Sequence, residues 1–263
     1  MDRRPFFLTR VTDVKVLLLQ SGSSGNCLYV ETRHVAVLFD AGITAKQVAL
    51  RLESNGYSLA KVQAVVVSHG HRDHIHHSGV YHRRLKLPVW VPRACQDWLA
   101  EREKFLPHAY CPGEMLTIGD LRIETIPTPH DFPDSVAFIV DDGRNRLGVF
   151  TDLGHAFADL EKHLSTVDAL IIESNYDPVM LANGPYSPEL QARIRGPGGH
   201  LSNIEAANCV KKWKHQYRWV CLAHLSQHNN TPEVAEKTFR KVVGRGTPYI
   251  AEYYSVTRLP AVE

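Results

Sequence analysis

The sequence predicts an α/β fold of four layers, an αββα sandwich in which two mixed β-sheets pack face to face and helices cover them outside. Three observations predict it. Short runs rich in Val, Leu, Ile and Tyr precede helical patterns in the first half of the 263 residues, and the second half repeats that order. No short repeat, low-complexity tract or Pro/Gly/Ser linker separates the halves, so residues 1–263 read as one domain. Several apolar runs end on an acid or a histidine, which would gather polar side chains along one edge of the sheets.

Residues 14–19, 26–31 and 35–40 are short runs broken by Gly, Ser or charged residues, as antiparallel strands are. Residues 45–54 form the first helix, with Val48, Ala49 and Leu52 spaced to face a core and Asn55-Gly56 as its stop. Residues 62–67 read as a buried strand. Residues 75–85 are read as helical, 88–91 as a strand, and Pro92 opens a helix that ends near Glu103. In the second half, strands fall near 115–118, 121–126, 136–140 and 147–151, followed by a helix over 157–164. Residues 167–173 are a buried strand ending on Glu173, and residues 204–215 an amphipathic helix. A strand over 219–223 leads into His224, and Thr231-Pro232 starts a last helix that runs to Val243.

Composition narrows the function classes. With 44% hydrophobic and 22% charged residues, the chain can bury a substantial core. A formal charge of +2 is too mild to demand a nucleic-acid partner, and the clusters Arg83-Arg84-Leu85-Lys86 and Lys211-Lys212-Trp213-Lys214 read as solvated faces. Five widely spaced cysteines without a C-x-x-C pair argue against a disulfide framework and a Cys-rich zinc knuckle, and for a reducing compartment. Residues 1–7 lack a signal-peptide apolar stretch, and no run approaches the roughly 18 apolar residues of a membrane span. A soluble cytoplasmic protein without membrane association is expected.

The chemistry concentrates in Ser68-His69-Gly70-His71-Arg72-Asp73-His74, directly after the strand over 62–67. His69 and His71 are two apart and point the same way from an extended segment, with Asp73 and His74 one turn further on. Imidazole and carboxylate are the ligands that zinc takes, and catalytic zinc keeps a position open for water. By itself the cluster fits a mononuclear or a dinuclear site.

These residues resemble the metallo-β-lactamase superfamily, whose signature H-x-H-x-D-H is matched by His69, His71, Asp73 and His74. Further elements of the superfamily follow in order: Asp40 in Phe39-Asp40-Ala41-Gly42, His130 in Pro127-Thr128-Pro129-His130, Asp152 in Phe150-Thr151-Asp152-Leu153-Gly154, and His224 in Leu222-Ala223-His224-Leu225-Ser226. The resemblance implies two divalent ions, Zn or Mn. One is held by His69, His71 and His130, the other by Asp73, His74 and His224; Asp152 bridges them and Asp40 orients a ligand histidine. Four positive charges against the carboxylates of Asp73 and Asp152 leave a net positive centre suited to an anionic substrate.

Within the superfamily the chain is most similar to the YycJ/WalJ-like exonuclease branch, and more distantly to tRNase Z. The likeness rests on Gly22-Ser23-Ser24-Gly25-Asn26, Ser174-Asn175-Tyr176-Asp177, Tyr186-Ser187-Pro188, Gly199-His200-Leu201-Ser202-Asn203 and the terminal His-Leu-Ser with Asn229-Asn230. It implies a phosphodiesterase acting on nucleic acid, a 5′ to 3′ DNA exonuclease, by in-line attack of a metal-bound hydroxide. Asp73, Glu173 and His200 are the catalytic residues it suggests, Glu173 orienting His200 as general acid. Ile172 stands where tRNase Z has a histidine, no tRNA-clamping insertion is recognisable, and His77 stands where a small residue is expected. Arg193, Arg195, Ser202 and Asn203 are candidate phosphate contacts. The 22–26 turn fits either a phosphate cradle or a tight hairpin. His76, His77, His82, His155 and His228 have no matched role. The competing readings are a small cyclic-phosphate or nucleotide phosphodiesterase and a non-catalytic nucleic-acid-binding module.

Overall fold

The computed structural model describes residues 14–244 and 246–262. The N-terminal segment read above for a signal peptide lies outside the described residues. The strands are β1 (Lys15–Gln20), β2 (Cys27–Glu31), β3 (Ala36–Phe39), β4 (Val62–Val66), β5 (Val89–Pro92), β6 (His108–Tyr110) and β7 (Met115–Ile118). They continue with β8 (Leu121–Pro127), β9 (Val136–Asp141), β10 (Arg146–Phe150), β11 (Ala169–Glu173), β12 (Trp219–Ala223), β13 (Tyr249–Ile250) and β14 (Thr257–Arg258). Among the described residues they form two seven-stranded sheets, ordered β14-β1-β2-β3-β4-β5-β6 and β13-β12-β11-β10-β9-β8-β7. Each sheet is antiparallel on one side and parallel on the other, the mixed architecture that the strand-first halves predict.

Burial follows these layers. Val16, Leu18, Val37, Phe39 and Val66 of the first sheet meet Ile123, Phe138, Val140, Val149 and Ile171 of the second in one apolar cluster, so the sheets pack on each other. Their outer faces are covered by the helices α1 (Ala45–Ser54), α2 (Arg72–Ile75), α3 (Ser78–Leu85) and α4 (Arg93–Glu103) on one side. On the other lie α5 (Leu160–Leu164), α8 (Asn203–Lys211) and α9 (Pro232–Val243), while α6 (Pro178–Asn183) and α7 (Pro188–Arg195) add no side chain to that apolar cluster. Strands such as β3 and β11 are buried on both faces because both are covered, and β4 is interrupted only at exposed Gln63, which is why they read as near-continuous apolar runs. Helix α9 shows the local signals in full: Thr231 Oγ1 accepts from Val234 N, Pro232 opens the first turn, and Gly244 ends it at φ 73°. No helix among the described residues is long and apolar enough to cross a membrane.

Several element boundaries differ from the sequence reading. The helix expected over 75–85 is two helices, because His77, with ψ near 8°, donates its N–H to Ala41 O and leaves the helical ladder. The helix expected over 157–164 begins only at Leu160 after Asp159, and that expected over 204–215 stops at Lys211, followed by the turn at Trp213. Residues 178–183, 188–195 and 108–110, and the two-residue strands β13 and β14, carry no core-facing period long enough to read.

The topology puts the site at one edge. Strands β3 and β4 run parallel, as do β10, β11 and β12, and β8 shares the direction of β10 through the antiparallel β9. Their C-terminal ends therefore deliver Asp40, the 68–74 segment, His130, Asp152, Glu173 and His224 to the same rim. Three of these residues turn off their strands in the left-handed region: Asp40 at φ 64°, Asp152 at 55° and His224 at 53°. Such backbone costs on the order of 1 kcal/mol or more at each residue and clusters at functional sites.

Candidate metal centre

The first group of side chains is three imidazoles. His69 Nε2 lies 3.1 Å from His71 Nδ1, and His130 Nε2 lies 3.2 Å from the same atom. Each ring has its other nitrogen engaged: His69 Nδ1 with Ser68 Oγ at 2.9 Å, His130 Nδ1 with Gly199 O at 3.1 Å, and His71 Nε2 beside Asp131 Oδ1 at 3.3 Å. The nitrogens that face one another are thus the free lone pairs. A tetrahedral zinc with Zn–N bonds of about 2.0–2.1 Å has ligand–ligand edges of about 3.3–3.4 Å, close to these separations.

The second group is Asp73, His74 and His224. Asp73 Oδ2 is 3.5 Å from His74 Nε2 and 3.6 Å from His224 Nε2. Asp152 stands between the groups, 3.4 Å from His74 Nε2, 3.7 Å from His130 Nε2 and 3.7 Å from His224 Nε2. Asp40 holds the arrangement from behind. Its Oδ2 meets His74 Nδ1 at 2.7 Å, and its Oδ1 accepts from Ser68 N at 2.7 Å and Ser68 Oγ at 2.9 Å.

The electrostatics differ between the two groups. Burial pushes His69 well below its ordinary value, and the neighbouring imidazoles of His74, His130 and His71 push the same way. His71 is lowered too, by burial and then by His130. Both present neutral imidazole, the form that binds metal. Burial also works against charging His74 and His224, but Asp40, Asp152 and Asp73 outweigh it at His74, which rises well above its ordinary value. At His224, Asp152, Asp73 and Glu173 outweigh burial and raise it to about 10. Burial would raise Asp73 and Asp152, yet both are held low, chiefly by His74 and His224. Here protons balance an excess of carboxylate, as cations would.

Seven buried side-chain atoms among the described residues have no hydrogen-bond partner, and two of them, Asp152 Oδ2 and His224 Nε2, lie in this cluster. An uncompensated buried polar atom costs about 1–3 kcal/mol, and a cation between these groups would satisfy both. The nitrogen-rich and carboxylate-rich donor sets fit divalent zinc or manganese.

Metal loading therefore expels protons. Because His224 stays charged up to about pH 10 in the metal-free fold and a ligand imidazole must be neutral, calorimetric loading near pH 7 should release protons. The measurement is the apparent heat in buffers of different ionisation enthalpy, and affinity should rise with pH. A raised His224 stabilises the metal-free fold fully below its ordinary 6.5, and that contribution is lost as pH rises through about 10. Heats independent of the buffer would contradict this.

Beyond the ligands, Glu173 is fully buried, with Oε1 2.5 Å from His200 Nδ1. Its Oε2 accepts from Leu153 N at 3.1 Å and Leu201 N at 3.2 Å. Burial would raise Glu173, but His200 and His224 hold it well below the usual carboxylate range. With both oxygens engaged, Glu173 is placed to orient His200 rather than to bind an ion, although Asp152, Glu173, His200 and His224 also crowd together. Asp73, Asp152, His130 and His200 line an open cavity of about 330 Å³.

The other sequence candidates separate. Arg193 reaches the cavity and pairs with Asp131 Oδ2 at 2.6 Å. Arg195 instead folds back onto Gln191 O and Oε1 in its own helix. Ser202 caps α8 in a reciprocal box with Glu205, and buried Asn203 bonds Ser174 Oγ and Asn230; both serve the fold rather than the cavity. Two residues to which sequence reasoning gave no role, and Asn26 of the 22–26 turn, lie against the site. Arg72 lines the cavity, Asp131 couples His71 to Arg193, and Asn26 Nδ2 lies 3.2 Å from Asp73 Oδ2 and 3.0 Å from His74 Nε2. Asn26 follows a hairpin with Gly22 at φ 117° and Gly25 at 135°, so the 22–26 segment is the tight turn that its glycines suggest.

Gly42 fixes how closely these pieces approach. A Cβ there would lie 1.8 Å from Asp73 O and 2.4 Å from Asn26 N. Gly42→Ala should cost about 3 kcal/mol or more and displace Asp73, read as a lower denaturation midpoint and weaker metal retention. An unchanged midpoint would contradict that packing.

Residues 36–224 match the beta-lactamase superfamily domain. The chain is 32% identical over 235 residues to exodeoxyribonuclease WalJ of Streptococcus pneumoniae, covering 85% of this chain and 86% of that protein. It is 30% identical over 240 residues to exodeoxyribonuclease YycJ of Bacillus anthracis, covering 86% and 88%. In fold it resembles the metallo-beta-lactamase fold protein YhfI of Bacillus subtilis, with a TM-score of 0.71, 20% identity and coverage of 94% and 100%. With that match, these relatives and a donor set of this kind at the sheet edge, the chain belongs to the beta-lactamase superfamily, as one of its metal-dependent hydrolases.

Proposed function

We propose that this protein is a phosphodiesterase that removes nucleotides from DNA in the 5′ to 3′ direction, using two divalent ions, Zn or Mn, in a reducing cytoplasm. The observation that carries the reading is the Glu173–His200 pair, 2.5 Å apart, at the wall of the cavity that the ligand groups share. The exodeoxyribonuclease relatives support DNA as the substrate. All five cysteines are free, in keeping with a reducing compartment. Both sheets contribute ligands, which supports one functional domain over residues 1–263.

In this reading His69, His71 and His130 hold one ion, Asp73, His74 and His224 the other, and Asp152 lies between them. When bound, the ions supply Lewis acidity, neutralising phosphate charge and acidifying the attacking water. Arg193 and Arg72 face the phosphate from the cavity wall. His200 gives its proton to the leaving oxygen, a step worth about 10²–10⁴ in rate. The Glu173 carboxylate fixes the ring through Nδ1 and balances the imidazolium, leaving Nε2 as the ring's remaining proton carrier.

The test is digestion of end-labelled single- and double-stranded oligonucleotides by metal-reconstituted protein, followed over time beside a cyclic nucleotide. Mononucleotides released progressively from the 5′ end are expected, suppressed by chelation. Release from the 3′ end overturns the polarity. Intact DNA with hydrolysed cyclic nucleotide overturns the substrate class, and binding of DNA without cleavage overturns the enzymatic role.

A further inference from the structure

Helix α7 buries none of its side chains in the protein core. Its apolar residues Leu190 and Ile194 line the metal-bearing cavity instead, together with Tyr186 four residues before Leu190. Leu190 and Ile194, four apart, share one face of the helix, and Tyr186, just ahead of the cap residue Ser187, extends the apolar lining they turn toward the ligands. Water gains nothing from such a wall. A substrate group with a flat apolar surface does.

Tyr186 is fixed before any ligand arrives. Ser187 caps α7 by accepting from Leu190 N, Pro188 starts its first turn, and Gln191 Nε2 donates back to Tyr186 O at 3.1 Å. Two residues earlier, Gly184 packs so tightly that a Cβ would sit 2.4 Å from Asn229 Oδ1. The Tyr186 ring rests edge-to-face against His228, with centroids 5.6 Å apart and planes at 66°. A preorganised aromatic pays little conformational entropy on contact.

A nucleotide offers an anionic phosphate and a flat base. The cavity is lined by both kinds of group: the carboxylates of Asp73 and Asp152, His200 and Arg193, and beside them Tyr186, Leu190 and Ile194. We infer that Tyr186 is a specificity-determining platform that stacks the nucleobase beside the scissile phosphate. The inference rests on the phosphodiesterase reading above. Every base has a π-face, so such a platform selects nucleotides over simple phosphodiesters without selecting sequence.

The test compares two internally labelled oligonucleotides, one with ordinary ends and one with tetrahydrofuran in place of the bases at the first two positions of both ends. Initial rates with wild type, Tyr186→Phe, Tyr186→Leu and Tyr186→Ala give kcat and KM for the first cleavage. Wild type and Tyr186→Phe should show KM about 5- to 150-fold higher for the abasic ends, the range of single-base stacking. Tyr186→Leu and Tyr186→Ala should raise KM on ordinary ends toward the abasic value, bringing the ratio near one with metal content unchanged. A wild-type ratio near one, or a ratio that survives in both variants, overturns the inference. Failure of wild type to cut either oligonucleotide overturns the nuclease reading, and the inference falls with it.

Discussion

Asp152→Ala protein, reconstituted with zinc or manganese and passed through a desalting column, should carry little metal and cut DNA at least about a thousand-fold more slowly, the effect of losing several kcal/mol of electrostatic stabilisation. Among the described residues, Asp152 is the one carboxylate within 3.7 Å of His74, His130 and His224 together. Its removal takes a negative charge from both groups at once. Thermal unfolding separates this from general damage. Metal at a thousand times its dissociation constant should stabilise the wild type by about 4 kcal/mol, through binding to the folded state, and leave the variant's melting temperature unmoved. Full metal content in Asp152→Ala would remove this residue from the centre.

His200→Ala should behave in the opposite way, keeping its metal and its KM for DNA while kcat falls about 10²- to 10⁴-fold. His200 is absent from the imidazole trio, and its Nδ1 is committed to Glu173. Glu173→Gln tests the second half of the pair. The amide oxygen can still accept from Leu153 N and Leu201 N, so the loop keeps its anchor, but the amide nitrogen cannot accept the His200 Nδ1 proton. Loss of kcat with normal metal content and near-normal stability is the expected result. Glu173→Ala should also lose stability, because it strips two buried N–H groups of their acceptor. Undiminished turnover in His200→Ala would end the proton-donor assignment.

Much of this centre was legible before the fold was known, for a local reason. Parallel strands buried on both faces read as continuous apolar runs, so Asp40, the 68–74 segment, Glu173 and His224 stand out at their ends. What stayed hidden depends on contacts between distant parts of the chain. Asp131 follows a recognised histidine, yet its partners His71 and Arg193 lie 60 and 62 residues away. Asn26 belongs to the site only because Gly42 lets the 40–42 turn lie against Asp73. Ser202 and Asn203 looked like phosphate contacts, but a helix cap and a buried asparagine network claim them. Helix α7 escaped notice because its apolar residues face a cavity, so no core stripe marks it.

In the proposed mechanism the donor cluster divides between two ions. Crystals of the metal-loaded protein, measured on either side of the zinc or manganese absorption edge, test it directly. Two anomalous peaks are predicted, one among His69, His71 and His130 and one among Asp73, His74 and His224, with Asp152 between them. A single peak, or one seated against Glu173 and His200, would contradict it.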